Sequence, residues 1–370
     1  MKRVLHIAEA PGGVERFLVT LLSKMKKYRE FEHCLICSYS YDRQRFDGLV
    51  RSFECVPGLH NELNPINDIR SMVEVRHLIK KYEPDIIYAH SSKAGAIGRI
   101  ANLGLGIPLV YNAHGWAFNM KNENIYKIIF YELAERYLAP LARKIVCVSG
   151  YEKKSALTHR ICGRKKLTVI NNGIDFREFD SVKPMNRARF GIPEDAFVVG
   201  TVGRIVKQKA PDVFINAAAI IAKEVPDAYF VIVGDGADRG KLERQIRSKG
   251  LKDRVIITGW VRDPLDYVSM FDVATLLSRW EAFGLALAEY MALGKPIVAT
   301  YVDAIPYVLR DAGLMVELDD HEAAAKAVLR IREDAALRDR LVRRGMTLVR
   351  ENYNAERSAR EHVKLFARMI

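Results

Sequence analysis

The sequence predicts a doubly wound α/β protein built in two halves, and three observations predict it. Short β-branched runs alternate with amphipathic stretches from one end of the chain to the other. Most of those runs are continuously apolar rather than alternating, the pattern of parallel strands covered by helices on both faces. A polar segment near the middle divides them into two complete sets, and repeated βα units of this kind build parallel sheets. A length of 370 residues accommodates two domains of about 150 residues each. With 49% hydrophobic and 28% charged residues, the composition is globular, without low complexity or disorder.

The strands of the first set are read over RVLHIA, HCLICSY, DIIYAH, PLVYNAH, KIVCVS and LTVINNG. The segment near 176–196 is polar, holds two prolines, and places the domain boundary at about 185. The second set follows over FVVGTVG, AYFVIVG, VIITGW, VATLLS, PIVAT and GLMVE. Helical patterns then cover 319–332 and 334–350, and the last stretch carries Val363, Phe366, Ala367 and Ile370 as the apolar face of a terminal helix. The expected domains are therefore 1–185, 186–350 and a closing helix over 351–370.

Composition narrows the function classes. The apolar stretch Val213–Ala222 has ten residues, half of the ~20 that cross a bilayer. The N-terminus meets Glu9 too early for a signal peptide and reads as a first strand in a cytoplasmic protein. Five cysteines at irregular spacings argue against a disulfide framework. Cys34 and Cys37 form a CxxC inside a strand, where residues three apart point to opposite faces, so they read as buried thiols rather than a zinc site. The net charge of +13 is lopsided: residues 1–183 hold 29 Lys and Arg against 19 Asp and Glu, and the remainder 29 against 26. Such an excess suits nucleic acid, an anionic membrane surface or a phosphorylated small molecule. Nucleic acid is set aside, because no helix-turn-helix, zinc or RNA-recognition signature and no basic stripe interleaved with aromatics is present.

Open parallel sheets bind ligands beyond the carboxyl ends of their strands, so the residues after each strand matter most. After the first strand, Glu9-Ala10-Pro11-Gly12-Gly13-Val14-Glu15 leads into a helix whose free N–H groups and dipole suit a phosphate, although turning alone also explains the glycines. Gly234-Asp235-Gly236 has its third glycine one residue late for a dinucleotide fingerprint, and Gly294-Lys295-Pro296 lacks the remainder of a P-loop. No Asp-x-Asp, His-x-x-x-His or Gly-x-Ser-x-Gly is present. Two stretches are more specific. Gly203-Arg204 with Lys209 puts two cations five apart just after the second set's first strand, where both converge on one anion. The run Arg279-Trp280-Glu281-Ala282-Phe283-Gly284-Leu285-Ala286-Leu287-Ala288-Glu289 sets a carboxylate at a strand end, a turn with free N–H groups at Gly284 and Leu285, and a second carboxylate two turns into a helix. Cations and amides on a diphosphate, Glu281 on a sugar and Glu289 on a ribose fit a nucleotide sugar.

At this constellation the sequence resembles the retaining glycosyltransferases of family 4, which have the GT-B architecture of two Rossmann-like domains facing one another across a cleft. Glu281-x7-Glu289 matches the E-x7-E motif, with Phe283-Gly284 inside it and EYMALGKPIVAT after it. Gly203-Arg204 and Lys209 match the diphosphate signature, with Ala210 where glycine is usual. Gly12-Gly13-Val14-Glu15, His114-Gly115 and Asn172-Gly173-Ile174-Asp175 match in order. Asp303-Ala304-Ile305-Pro306-Tyr307 stands where many members have Gly-Gly-Ile-Pro-Glu. The stretches 90–95 and 111–118 look most like enzymes that build capsule, exopolysaccharide or O-antigen units on a polyprenyl diphosphate.

The resemblance implies transfer of a sugar from a nucleoside diphosphate sugar, UDP favoured over GDP, to a hydroxyl of a lipid-linked or soluble glycan. It implies donor contacts from Gly12, Gly13, Gly203, Arg204, Lys209, Glu281, Phe283, Gly284, Leu285 and Glu289. Catalytic roles fall to His114, Glu281, Arg204 and Lys209, and acceptor contacts to Glu15, Ser92, Lys93 and Trp116. Cations and amides stabilise the leaving diphosphate, so neither a metal nor a cofactor is expected. The closing helix is expected to cross back onto the first domain. Lys24, Lys26, Lys27, Arg29 and the cations of 121–166 are candidates for peripheral contact with anionic lipid on the cytoplasmic face of a membrane. A nucleotide-sugar epimerase of the same architecture is the alternative.

Overall fold

Seven parallel strands make the first sheet: β1 (Lys2–Ala8), β2 (Phe31–Cys37), β3 (Ser52–Cys55), β4 (Ile86–His90), β5 (Leu109–Asn112), β6 (Lys144–Cys147) and β7 (Leu167–Val169). Their order is β3-β2-β1-β4-β5-β6-β7. They belong to a computed structural model, which describes residues 1–9, 11–60 and 64–370. Six of these strands coincide with runs read from the sequence, and β3 does not. It is four residues long, half-buried throughout and at the sheet edge, so it carries no apolar run, and its Ser-Phe-Glu-Cys alternation is the shortest that marks a strand.

Helices α1 (Gly13–Met25), α2 (Pro65–Tyr82), α3 (Ser92–Ala101), α4 (Ile125–Leu138) and α5 (Gly150–Thr158) connect the strands. Side chains alternate across the sheet, so each strand feeds two cores. Leu5, Ile7, Cys34 and Ile36 lie in one, and Val4, Ala8, Leu35 and Cys37 in the other. The CxxC cysteines thus sit on opposite faces, both buried and both free. A fully buried Leu or Ile contributes about 1.5–3 kcal/mol. The first core also holds a cation: Arg99 on α3 donates to Gly95 O and to Glu135, at 2.8 and 3.0 Å, and lies over the Tyr111 ring.

The second sheet has six parallel strands, β8 (Phe197–Val202), β9 (Ala228–Val233), β10 (Val255–Ile257), β11 (Val273–Leu276), β12 (Ile297–Thr300) and β13 (Leu314–Val316), in the order β10-β9-β8-β11-β12-β13. Its helices are α6 (Phe176–Asp180), α7 (Pro211–Glu224), α8 (Arg239–Ser248), α9 (Pro264–Val268), α10 (Leu285–Ala292), α11 (Ile305–Leu309), α12 (His321–Glu333) and α13 (Ala335–Asn352).

Contacts divide the chain into two compact units, Met1–Gly173 with Asn354–Ile370, and Ile174–Tyr353. The second unit begins at Ile174 rather than near 185, because the polar segment before β8 already bonds to it: Ile174 N donates to Tyr353 O at 2.9 Å and Lys183 N to Asp266 Oδ1 at 2.9 Å. The last helix, α14 (Ala355–Ala367), belongs to the first unit and lies against α1. Its buried face is Ala359, His362, Leu365 and Phe366, whereas Ala367 and Ile370 are exposed. Hydrophobicity alone misplaces that face, because its middle is a histidine: His362 Nε2 bonds Tyr88 Oη at 2.9 Å.

Candidate active site

In both sheets the strand order turns back beside the strand that opens the set, between β1 and β4 and between β8 and β11. Loops leaving two such strands in opposite directions open a crevice at their carboxyl ends. In the second unit Arg279 staples the loop after β8 to the loop after β11. Its guanidinium grips Asp212 at 3.0 and 2.7 Å, donates to Lys207 O at 2.9 Å and reaches Asp319 at 2.7 Å. Gln208 adds a bond from Nε2 to Trp280 O at 3.1 Å. So held, Lys209 Nζ pairs with the buried Glu281 carboxylate, which also accepts from Ser278 Oγ at 3.0 Å.

The other partners of this cluster are backbone. Glu281 N donates to Asp303 Oδ2 at 3.2 Å, and Ala304 N donates to Glu281 O at 3.2 Å. Asp303 has φ +49°, a conformation that glycine takes without strain. An aspartate at the family's glycine position therefore trades backbone ease for a carboxylate bound to the Glu281 amide. A Cβ on Gly234 would lie 2.1 Å from Gly203 O, so that glycine serves close packing of the β8 and β9 loops. Arg204 is exposed, with Nη2 donating to Gln208 Oε1 at 3.3 Å. Gly284 caps α10 at φ +79°, with no side-chain cap on the helix. Phe283 packs edge-on to Tyr353, 5.3 Å between centroids, and Glu289 is buried in the second turn of α10. An exposed cation, a second cation held by a carboxylate and an uncapped helix N-terminus suit a multiply charged anion.

In the first unit, α1 starts at Gly13 after an uncapped Gly12 at φ +84°, and both glycines are exposed. Ala10, within that turn, lies outside the described residues. Glu9 follows β1 and accepts from Ala94 N at the start of α3, and burial pushes its carboxyl up to about 7 against the pull of that bond. Ser91 has φ 65° and ψ 167°, nearly reserved for glycine, and His114 has φ +52°. Strain of about 1–3 kcal/mol each is concentrated at this end of the sheet. His114 N donates to Asn112 Oδ1 at 3.0 Å, and burial, with His362 adding, pushes the ring down to about 3. The sequence assigns no role to Glu9 or to Ser91, since a serine after a strand carries no signal of unusual backbone.

Three expected acceptor residues are committed elsewhere. Glu15 accepts from Asp42 N at 3.0 Å and pairs with Arg45 at 3.4 Å, and Lys93 pairs with Asp68 at 2.6 Å. Trp116 is buried, donates from Nε1 to Glu152 O at 3.0 Å and stacks on Phe118. Ser92 remains partly exposed. Of the cations assigned to a lipid surface, Lys24 and Lys27 both pair with Glu356 on α14. Among the described residues, no three His, Cys, Asp or Glu side chains group so as to hold a metal ion.

Two family models match the chain: "Glycosyltransferase Family 4" over 11–178 and "Glycosyl transferases group 1" over 182–347. The chain belongs to the family 4 glycosyltransferases. The enzyme is 29% identical over 347 residues to UDP-Gal:alpha-D-GlcNAc-diphosphoundecaprenol alpha-1,3-galactosyltransferase of Escherichia coli, covering 90% of this chain and 89% of that one. It is 28% identical to the lipopolysaccharide core biosynthesis glycosyltransferase LpsD of Rhizobium meliloti strain 1021, over 100% of this chain and 99% of that one. In fold it matches Anabaena HepE in complex with UDP and glucose, with a TM-score of 0.83 at 19% identity over 99% of this chain and 100% of that one. Sucrose-phosphate synthase of Thermosynechococcus elongatus matches with a TM-score of 0.85 at 19% identity over 100% and 99%. The glycosyltransferase thus has the GT-B fold.

Proposed function

We propose that this glycosyltransferase moves a sugar from a UDP-sugar, with retention of anomeric configuration, to a hydroxyl of a polyprenyl-diphosphate-linked glycan in surface polysaccharide synthesis. The observation that carries the reading is the Arg204, Lys209 and Glu281 cluster at the turning point of the second sheet. As the donor's C–O bond breaks, positive charge grows at the anomeric carbon and negative charge on the departing diphosphate. Arg204, Lys209 and the amides around Gly284 would meet the second of these charges, which is electrostatic catalysis aimed at developing charge. Glu281 holds Lys209 and takes a sugar hydroxyl, Glu289 takes the ribose, and no metal is required. Retention follows the family likeness, and the UDP donor and lipid-linked acceptor follow the Escherichia coli relative's name. The relatives named above are transferases, and nothing supports an epimerase.

A thermal-shift series with UDP, GDP, ADP and TDP, with and without magnesium, tests the donor assignment. UDP is expected to raise the melting temperature by mass action, equally with EDTA present. A shift that needs magnesium, or one confined to another nucleotide, removes that part of the reading. Acceptor-dependent release of UDP then separates transfer from epimerisation.

A lipid-linked acceptor calls for a surface that meets the bilayer, and α4 supplies one. Ile125, Tyr126, Ile129, Phe130, Leu133 and Tyr137 are all exposed, 40–80% each, and fall on one arc of the helix. Lys121 and Lys127 stand at its start within the half of the chain that carries the positive excess. No helix among the described residues is long and apolar enough to cross a membrane, so the contact proposed is interfacial. The enzyme is expected to sediment with vesicles containing anionic phosphatidylglycerol, and Ile129→Ser with Phe130→Ser to weaken that binding by about tenfold or more, at ~1.5–3 kcal/mol per large apolar side chain buried. Equal sedimentation of the two proteins excludes α4 as the docking face.

A further inference from the structure

Four buried or partly buried histidines are joined end to end across the first sheet. His33 Nδ1 meets His6 Nε2 at 3.0 Å, His6 Nδ1 meets His90 Nε2 at 3.1 Å, and His90 Nδ1 meets His114 Nε2 at 3.0 Å. The first three stand on β2, β1 and β4, and alternation sends them to the face covered by α1 and α14. Phe17 of α1 closes over His114, 4.7 Å between centroids, and over His90 at 6.0 Å. From α14, His362 faces the same cluster, and its state is fixed independently. Its Nδ1 donates to Ser358 O at 2.8 Å, and its Nε2 accepts from Tyr88 Oη, which in turn accepts from Asn112 Nδ2 at 3.2 Å.

A neutral imidazole has one N–H and one lone pair. Three bonds in a row between four neutral rings therefore admit two arrangements only. If His6 donates toward His90, then His33 donates to His6, His90 donates to His114, and the proton of His114 is left on Nδ1. If His6 donates toward His33, every bond reverses and the outer proton sits on His33 Nε2. That atom decides between them, because it is buried and has no hydrogen-bond partner. A buried N–H without an acceptor is rarer and costlier than a buried lone pair without a donor. The first arrangement wins.

We propose that His33, His6 and His90 are positioning residues that hold His114 in the Nδ1–H tautomer, so that it donates a hydrogen bond to a substrate oxygen and serves neither as a general base nor as a charged acid. The donor role rests on the proposed function and on the catalytic part the family resemblance implies for His114, and the tautomer itself does not. Burial pushes His33 down to about 4, and His6 and His90 well below the ordinary value, in keeping with four neutral rings. The strained backbone of His114 is then the means by which Nε2 reaches His90.

The test is two-bond proton–nitrogen correlation on the full-length protein labelled with [15N]histidine, with His114 assigned by loss of its signals in His114→Gln. At pH 7, His114 is expected to show a protonated Nδ1 and a bare Nε2, the tautomer that free histidine disfavours. A protonated Nε2, or a charged ring, overturns the proposal without reference to activity. In His90→Gln, folded by circular dichroism, the amide can accept as well as donate, so His114 is expected to revert to the Nε2–H form that free histidine prefers. An unchanged His114 spectrum there overturns the relay even if the wild-type tautomer is as expected. Acceptor-dependent release of UDP is expected to fall about tenfold in His90→Gln and His114→Gln alike. If the tautomer is as stated and release is unchanged in both, the donor role falls, while the relay stands.

Discussion

Glu281→Gln is expected to leave a folded protein whose rate of sugar transfer has dropped by about 10²–10³, the usual loss when one group aimed at transition-state charge is removed. The carboxylate accepts from two donors at once, the Lys209 ammonium and the Ser278 hydroxyl, and its main chain is fixed by Asp303 Oδ2 and Ala304 N. The amide keeps the shape and surrenders the charge. Lys209 then loses the partner that sets its position, and the sugar loses a charged acceptor for its hydroxyl. Stability should fall by about 1–3 kcal/mol, because Glu281 is buried and Lys209 only 22% exposed, so the ammonium loses its partner with little water to screen it. The check is kcat for acceptor-dependent UDP release alongside the melting temperature. Wild-type kcat in a protein that melts normally removes Glu281 from the site. Arg204→Gln should behave differently, raising KM for the nucleotide sugar more than it lowers kcat, since under the proposed function that exposed guanidinium meets the diphosphate before and after bond cleavage.

Both sheets were legible because their strands are buried on two faces: Val4 to Ala8 and Phe230 to Val233 are apolar runs that only a covered parallel strand explains, His6 excepted. The edge strand β3 lacked that signal. Arg204, Lys209 and Glu281 were legible because loops after β8 and β11 are short and the chemistry is written in adjacent residue types. Arg279, which holds those loops together, reads in the sequence as one more surface charge, since its partners Asp212 and Asp319 are 67 and 40 residues away. The histidine relay is hidden for the same reason, as its members are spread from residue 6 to 114 and each looks like a lone histidine in an apolar run. The apolar face of α4 escaped because the helix is apolar nearly all the way round, and only the fold shows which side is left uncovered.

Those buried histidines make the first unit acid-labile, and the expected effect is large. His6 and His90 lie well below 6.5, His33 and His362 at about 4, and His114 at about 3, burial being the leading cause for each. A folded-state value below the unfolded one means that the unfolded chain binds more protons as pH falls. The stability these groups confer is therefore complete above pH 6.5 and lost on the way down toward 4. Glu9 and Glu152 act in the opposite sense. Burial raises both to about 7, so the folded chain holds their protons between 4.5 and 7, and acidification in that window returns stability. Five histidines outweigh two carboxylates, so the net result of acidification below about 6.5 is a loss of stability. Each extra proton bound by the unfolded chain is worth about 1.4 kcal/mol per pH unit, and against a total stability of ~5–15 kcal/mol the first unit should be markedly destabilised by pH 4.5. Melting curves by circular dichroism from pH 8 to 4.5 are expected to be flat down to about 6.5 and then to fall steeply. His362→Gln, which removes a ring outside the relay and keeps a hydrogen-bonding side chain, should lessen the slope by about one proton. A profile that stays flat to pH 4.5 would mean that these rings are protonated, or reached by water, in the folded protein, and the neutral relay would then be untenable on thermodynamic grounds as well as spectroscopic ones.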